Sequence, residues 1–465
     1  MKLSAFKFYT AKFFSVVLIS NALFILIYVL SSLIPAETIV NQLKSAYETG
    51  VLKTPENSIS RSTTGLGIDF GTECVALGLN LKQSPDQISE NKVLSRFYES
   101  YTPSTAGQNQ FDPCAGLLEM INIENNNELP QNLASYARNW WGVSIFIQIG
   151  VALFGLASFK SYLYSAMIIL GVLFYLRFSK VMNNYSIGLL LLAPFILTGD
   201  FQDLYNVAPY SLFTIQMFLF GIILMRVMEK KENQLIRIFK ISVMFGSVYN
   251  FMFWFNFHLI LTFLPSVIYL ILLKKDSYRK IMEKIAILLA GFTSGFIVTT
   301  FVKWMLGIMI YGGEIQDQII KALGVRLSSN QNGLNAPLLS YTSGVDFLPV
   351  PFRAIVVNLM VYASKVIDPR STSQITIGIM LLILLTIGIY QMKNSMFSFN
   401  IAKQYLFPAF PIFLIPFFYY GITANHSFNH AALAYRALPL TLGFILSLLY
   451  FAHLSSESKI IRDYD

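Results

Sequence analysis

The residues that could do chemistry sit in polar islands between long apolar runs. The densest island is Gly67-Ile68-Asp69-Phe70-Gly71-Thr72-Glu73-Cys74: two carboxylates four residues apart, a cysteine beside the second, and glycines around both. On a helix this spacing puts Asp69 and Glu73 on one side, whereas Gly67 and Gly71 favour a turn. A carboxyl group next to a bilayer is desolvated, so its pKa rises and it becomes usable as a general base toward a hydroxyl. Two solvated loop acids are the plainer reading of the same residues. A second acidic pair, Asp200 and Asp203, lies on the short turn Gly199-Asp200-Phe201-Gln202-Asp203. It could hold a substrate hydroxyl or a metal, or it could simply end a helix in water.

Cationic residues border the apolar runs. Arg138, Lys160, Lys303, Arg326, Arg353 and Arg436 are expected near one membrane boundary. Arginine forks bind phosphates through paired hydrogen bonds, so several of them at headgroup depth could hold a lipid phosphate. Taken singly, each is equally explained by a long side chain reaching to water. His426 and His430 stand four apart and could share a helix face as metal ligands, but no third ligand is near. No metal is therefore assigned and the cofactor stays unknown, a divalent cation remaining open; hydrogen bonding to a sugar or phosphate is the other use of these histidines. Asn425-His426-Ser427 fits the glycosylation acceptor pattern, a match of low specificity. His258, at a helix mouth, and His453 read as structural. The sequence contains no Walker loop, no dinucleotide fingerprint after a strand and no serine nucleophile elbow.

The elements that must position these residues are read from composition. The 465 residues are 55% hydrophobic and only 13% charged, against roughly 25% charged for soluble domains. Repeated apolar runs separated by short basic stretches imply an all-α polytopic integral membrane protein. The net charge of +9 comes from lysines and arginines at helix ends, which fits topology signals better than nucleic-acid binding. Expected spans are 13–34, 161–176, 187–199, 209–226, 241–253, 258–273, 285–303, 374–391, 405–421 and 435–453, about ten in all. Residues 143–159 are apolar enough to span as well. Counting them would put the basic segments around Lys230 and Lys275 outside, against the positive-inside tendency. Residues 140–159 are therefore expected to lie along the outer face or to dip in and back. This places both termini in the cytoplasm, in a single integral membrane domain over 1–465. It leaves a large extracytoplasmic first loop at 35–160, with short surface-lying helices, and a second such segment at 304–373.

Cys74 and Cys114, the two cysteines of the chain, share that first loop. In an oxidising compartment a single disulfide is the natural expectation, worth roughly 4 kcal/mol for a loop of about 40 residues on the chain-entropy model. Two buried thiols are the alternative. Helix interiors hold essentially no Asp, Glu, Lys or Arg and no internal repeat is visible, which argues against a secondary transporter.

The chain resembles the GT-C-fold membrane glycosyltransferases, and more closely a group of bacterial GT-C-like polytopic proteins. The resemblance rests on Asp69-x-x-x-Glu73, Tyr136-x-Arg138 with Trp140 and Gly142, Lys303-Trp304, and Asn425-His426-Ser427 with His430 and Tyr435-Arg436. That group is expected to have Asp at the Glu73 position, and Tyr and His where Asn139 and Trp141 stand. The resemblance implies an inverting transferase of cell-envelope glycan assembly. Its donor would be a polyprenyl-phosphate sugar and its acceptor a glycan, lipid or protein. Glu73 or Asp69 would serve as the base, and Asp200, Asp203, Arg138, Lys303, Arg326, His426, His430 and Arg436 would bind substrate. A lipid-linked-sugar flippase, or a glycan polymerase or ligase, is the alternative.

Overall fold

The structure, a computed structural model, describes residues 3–31, 33–52, 70–78, 101–102, 113–122, 134–135, 140, 142–198, 204, 208–230, 232–252, 257–273, 276–311, 313–327, 344–367, 399–429 and 431–462. Among them the protein is an all-α, multi-pass membrane protein. Seven helical stretches are long and apolar enough to cross a bilayer: Lys12–Ser31, Leu156–Met182, Ala208–Glu229, Gln234–Met252, Tyr278–Met309, Tyr405–Ile422 and Ala437–Ser455. The expected spans 187–199 and 258–273 correspond to the shorter apolar helices Tyr185–Ile196 and His258–Leu272. The expected span 374–391 lies outside the described residues.

The helices are α1 (Leu3–Ser31), α2 (Ala36–Glu48), α3 (Phe70–Gly78), α4 (Pro113–Asn122), α5 (Gly142–Phe154), α6 (Leu156–Met182), α7 (Tyr185–Thr198), α8 (Ala208–Glu229) and α9 (Gln234–Met252). They continue with α10 (Phe257–Leu272), α11 (Tyr278–Tyr311), α12 (Gly313–Leu327), α13 (Val350–Ile367), α14 (Phe399–Phe413), α15 (Ile415–Ile422), α16 (Ala424–Asn429), α17 (Ala431–Ala434) and α18 (Ala437–Arg462). A two-residue antiparallel ladder pairs β1 (Tyr101–Thr102) with β2 (Ala134–Ser135) inside the first polar segment.

Local sequence sets the boundaries. Pro35 caps α2, Glu37 sits in its positive first turn, and Ile39, Leu43 and Ala46 bury one face at helical spacing. Asn183 closes α6 in the left-handed conformation at φ 52°, and the Asn184 side chain then accepts from the Ile187 amide at 3.2 Å to start α7. Gly155, at φ 71°, breaks α5 from α6. With 13 residues, α5 is about 20 Å long, short of a hydrocarbon core of about 30 Å. Nor is it laid out on the protein surface. Gly142, Val143, Ser144, Ile145, Ile147, Gln148, Gly150 and Val151 are all buried, packed against α1, α2, α3, α6, α8 and α9.

The bundle is tied by two close helix crossings. On α9 and α11, a Cβ at Gly246 would stand 1.9 Å from the Phe292 carbonyl oxygen and one at Gly295 2.2 Å from that of Val243, so the backbones touch. On α18, Gly443 gives the same approach to Leu191 of α7, at 2.1 Å. Connectivity and contacts bring the ends of α1, α7, α9 and α11 to one end of the bundle with the starts of α6, α8, α10 and α18. The short helices α2, α3 and α4 pack there, onto α5, α6 and α8, without a core of their own. A second apolar cluster at Val350, Val357, Tyr420, Phe428 and Tyr435 joins α13 to α15, α16 and α17.

Candidate functional site

The sequence puts Glu73 at an open boundary; the structure seals it. Glu73 is fully buried on α3, and its Oε2 accepts a hydrogen bond from Lys160 Nζ of α6 at 2.6 Å. Its Oε1 accepts from the Ala208 amide, the first of α8, at 3.2 Å. A carboxylate at a helix N-terminus satisfies an amide left over by the helix and meets the positive end of its dipole. Burial pushes the Glu73 carboxyl above its ordinary value, and Lys160 and the Ala208 amide pull it back part of the way. Next to it, Cys74 is joined to Cys114 of α4 in a disulfide. Tyr47 of α2 donates to the Cys114 carbonyl at 3.2 Å, and Gln148 of α5 donates to the Leu77 carbonyl at 3.4 Å. The short helix α3 is thus fastened to four others, α4, α5, α6 and α8. Both Glu73 oxygens are engaged by groups of the fold, and the residue is fully buried. Lys160, expected at the boundary to meet a phosphate, is committed to this pair.

Two residues into α8 begins a second group of buried polar side chains. The Arg436 guanidinium carbon lies 4.4 Å from the centre of the Tyr210 ring and 5.7 Å from that of Tyr435. His258, at the start of α10, stacks on Tyr419 at 4.4 Å and meets Tyr420 edge-on at 6.0 Å. The Tyr420 hydroxyl in turn donates to the Ala434 carbonyl at 2.8 Å. Arg436, His258, Tyr210, Tyr420 and Tyr435 are all buried. This cluster gathers residues from α8, α10, α15 and the α17–α18 junction. An arginine held against tyrosine rings keeps its charge in a weakly polar setting, where an anion interacts with it more strongly than in water.

The remaining candidates are spread over the same end. Lys303 lies inside α11 rather than at its end, because that helix runs on to Tyr311. It is buried, with Nζ 5.7 Å from the Tyr28 ring and 5.5 Å from the Trp140 ring. Trp140 donates to the Thr299 carbonyl at 2.9 Å, and Phe24 stacks on Phe251 at 4.2 Å beside it. Arg353 pairs with Asp346 at 2.8 Å and stands over Phe428. His426 is half-buried on α16, and Asn425 and Ser427 are buried, which closes the glycosylation pattern to an oligosaccharide. Arg326 falls within α12, with its side chain outside the described set. Asp69, Arg138, Asp200, Asp203 and His430 lie outside the described residues. Among the described residues no group of histidines, cysteines and carboxylates could hold a metal ion.

Sequence reasoning missed His258, Tyr210 and the Tyr419-Tyr420 pair. Paired tyrosines at the end of an apolar run are the one signal that pointed there.

Below this end a groove opens between α6, α7 and α8. It encloses about 320 Å³ and is lined by Met167, Val172, Leu189, Phe195, Leu204 and Phe218 among others, with polar atoms nearly absent. Its one hydroxyl-bearing aliphatic, Thr214, donates to the Tyr210 carbonyl at 3.0 Å, one helical turn below the ring that carries Arg436. Ile168, Val172 and Leu189 along its rim are exposed on the sides of apolar helices. No protein-family model, no curated protein and no solved structure matches this chain.

Proposed function

We propose that the protein is a GT-C-type membrane glycosyltransferase, moving a sugar from a polyprenyl-phosphate carrier to an extracytoplasmic acceptor in cell-envelope glycan assembly. The observation that carries the reading is the stacking of Arg436 on Tyr210 one helical turn above an apolar groove walled by α6 and α8. An isoprenoid tail suits the groove, because hydrocarbon filling it competes with lipid rather than water. The carrier phosphate suits the cluster above, with Arg436 as its charge and His258 and the tyrosines as hydrogen-bonding or stacking partners.

Inverting transfer from such a donor needs the acceptor hydroxyl deprotonated as it attacks the anomeric carbon. The carrier phosphate leaves with the bonding electron pair, which needs little acid help. With Glu73 anchored in its ion pair, the base falls to Asp69. Asp200 and Asp203 orient the acceptor; Asp203 directly precedes Leu204, a residue of the groove. Topology in this reading keeps the N- and C-termini in the cytoplasm and the Glu73–Arg436 end outside.

The test is a lipid extract of a strain lacking the gene, with the protein restored as wild type, Asp69→Asn, Asp200→Asn or Asp203→Asn at equal membrane abundance. A polyprenyl-phosphate sugar should accumulate in the deletion strain and in the Asp69→Asn strain. General-base assistance of about 10²–10⁴-fold sets the scale of the lost transfer. No accumulation in the deletion strain would remove the proposal. A flippase is the second reading, favoured by a buried lysine inside α11. It requires accumulation confined to the cytoplasmic leaflet.

A further inference from the structure

We infer that Glu73 and Lys160 are positioning residues that lock the first turn of α8, and with it the Tyr210 ring beneath Arg436, to the disulfide-closed pair α3–α4. The links form one continuous chain of contacts. The disulfide from Cys74 to Cys114 joins α3 to α4. The adjacent Glu73 bonds Lys160 with one oxygen and the Ala208 amide with the other. Ala208 opens α8, and Tyr210 follows two residues on. The Ser211 hydroxyl donates to the Leu204 carbonyl, so Leu204 is drawn into the same knot. Tyr210 carries the Arg436 guanidinium on its ring and gives its carbonyl to Thr214, at the head of the groove.

The energetic logic selects this role over an acid–base one. A buried ion pair is poor at adding net stability and strong at fixing geometry, because moving either partner strands a charge in a weakly polar interior. An acid–base group must instead meet its substrate within hydrogen-bond reach. Glu73 has its two acceptors filled by groups that belong to the fold. The side chain therefore acts on the Arg436 site through α8, and the charges themselves are dispensable once neither is left alone.

That last property supplies the experiment. Full-length protein in lipid nanodiscs is compared as wild type, Lys160→Met and the double variant Glu73→Gln/Lys160→Met. The glutamine keeps an oxygen for the Ala208 amide while the pair loses both charges. Two quantities are read: hydrogen exchange of the peptide covering 208–213, and binding of undecaprenyl phosphate added as a probe. Lys160→Met should speed exchange of that peptide at least about tenfold. It should also weaken probe binding by a similar factor, with α9 and α11 exchanging as in wild type. The double variant should return both quantities to within about threefold of wild type, since neutral replacement of a buried pair is well tolerated. Wild-type exchange at 208–213 in Lys160→Met, or a double variant as impaired as the single one, overturns the inference. Should Lys160→Met fail to accumulate, Cys74→Ala/Cys114→Ala takes its place and must show the same local loss at 208–213. Unchanged exchange there also overturns it. Binding of the probe rests on the transfer reading above. A wild type that ignores the probe sinks that reading alone, because the exchange measurement still decides the positioning role.

Discussion

At one end of the bundle Lys160 and Glu73 form an ion pair whose side chains are 5% and 1% exposed. At the other, Arg177 of α6 and Glu229 of α8 form one whose side chains are 33% and 46% exposed. Helix α6 supplies the cation of both pairs, while the carboxylate comes from α3 at the first end and from α8 at the second, and the surroundings differ sharply. At the exposed end, water already solvates both partners, so the contact adds little and constrains little. At the buried end, desolvation is incurred whether or not the partners meet, so the geometry is enforced. Lys303, Arg353, Arg436 and His258 are buried at that same end, while at the other Lys284 and Asp276 form a partly buried pair, 11% and 18% exposed. Burying charge is destabilising by default. A chain that concentrates buried charge at one end is maintaining a geometry there.

The comparison breaks first at Lys160. Replacing it with methionine leaves a buried carboxylate without its ammonium, and such half-pairs cost about 3–5 kcal/mol. The expected result at neutral pH is a large drop in the thermal midpoint of purified protein, far exceeding that of any single substitution at the Arg177–Glu229 end. A drop no larger than that of Arg177→Gln would mean that the two ends are equivalent after all.

A packing control separates charge from crowding. Gly246→Ala inserts a methyl group where the Phe292 carbonyl oxygen already stands 1.9 Å from the Cβ position. Backbone cannot give way as a flexible side chain would, so α9 and α11 must part, at about 1–3 kcal/mol or more. Its loss should be independent of pH, because no titrating group lies in that contact. A pH-dependent loss would show that the α9–α11 crossing is coupled to the ionic end.

The pH dependence of the buried end has a definite sign. The folded-state pKa of Glu73 is raised above its ordinary 4.5, burial outweighing Lys160. Folding therefore favours the protonated carboxyl. The associated stability is complete below about pH 4.5 and declines as pH rises through the folded-state value. Glu73→Gln cannot titrate, so the difference in thermal midpoint between wild type and variant should change over that window and be flat below it. A difference that grows in favour of wild type with rising pH would reverse the assigned direction and make the ion pair itself the stabilising form.

Much of the scaffold is legible in the sequence because bilayer-length apolar runs leave few alternatives. The stretches around 13–34, 161–176, 209–226, 241–253, 285–303, 405–421 and 435–453 each fall on a described helix of spanning length. Helix ends were less legible. Hydropathy ends this run at the Lys303 charge, whereas α11 continues to Tyr311, since a buried ammonium over aromatic rings does not stop a helix. The partners of Glu73 and Arg436 were hidden for a different reason. Lys160 is 87 residues from Glu73, and Tyr210 is more than two hundred from Arg436. Spacing along the chain reports one element at a time, and nothing in it says which helix ends meet. Hydropathy misread Glu73 by the same token: a charged residue in a polar segment reads as solvated, although its neighbours on α3, Cys74, Ala76 and Leu77, are buried with it.

The smallest expected effect is the sharpest check on the comparison. Arg177→Gln removes one partner of the exposed pair and leaves Glu229 facing water, which solvates it at no added desolvation cost. Exposed ion pairs are worth about 0.2–1 kcal/mol and are screened by salt. The variant should therefore lie close to wild type in low salt and be indistinguishable from it at about 1 M salt, where the screening length falls to about 3 Å. Lys160→Met should keep most of its defect across the same salt range, because ions do not reach a pair enclosed by α3, α6 and α8. The measurement is the thermal midpoint of both variants at several salt concentrations. Converging salt responses would mean that the Glu73–Lys160 pair is open to solvent, and the contrast between the two ends would lose its physical basis.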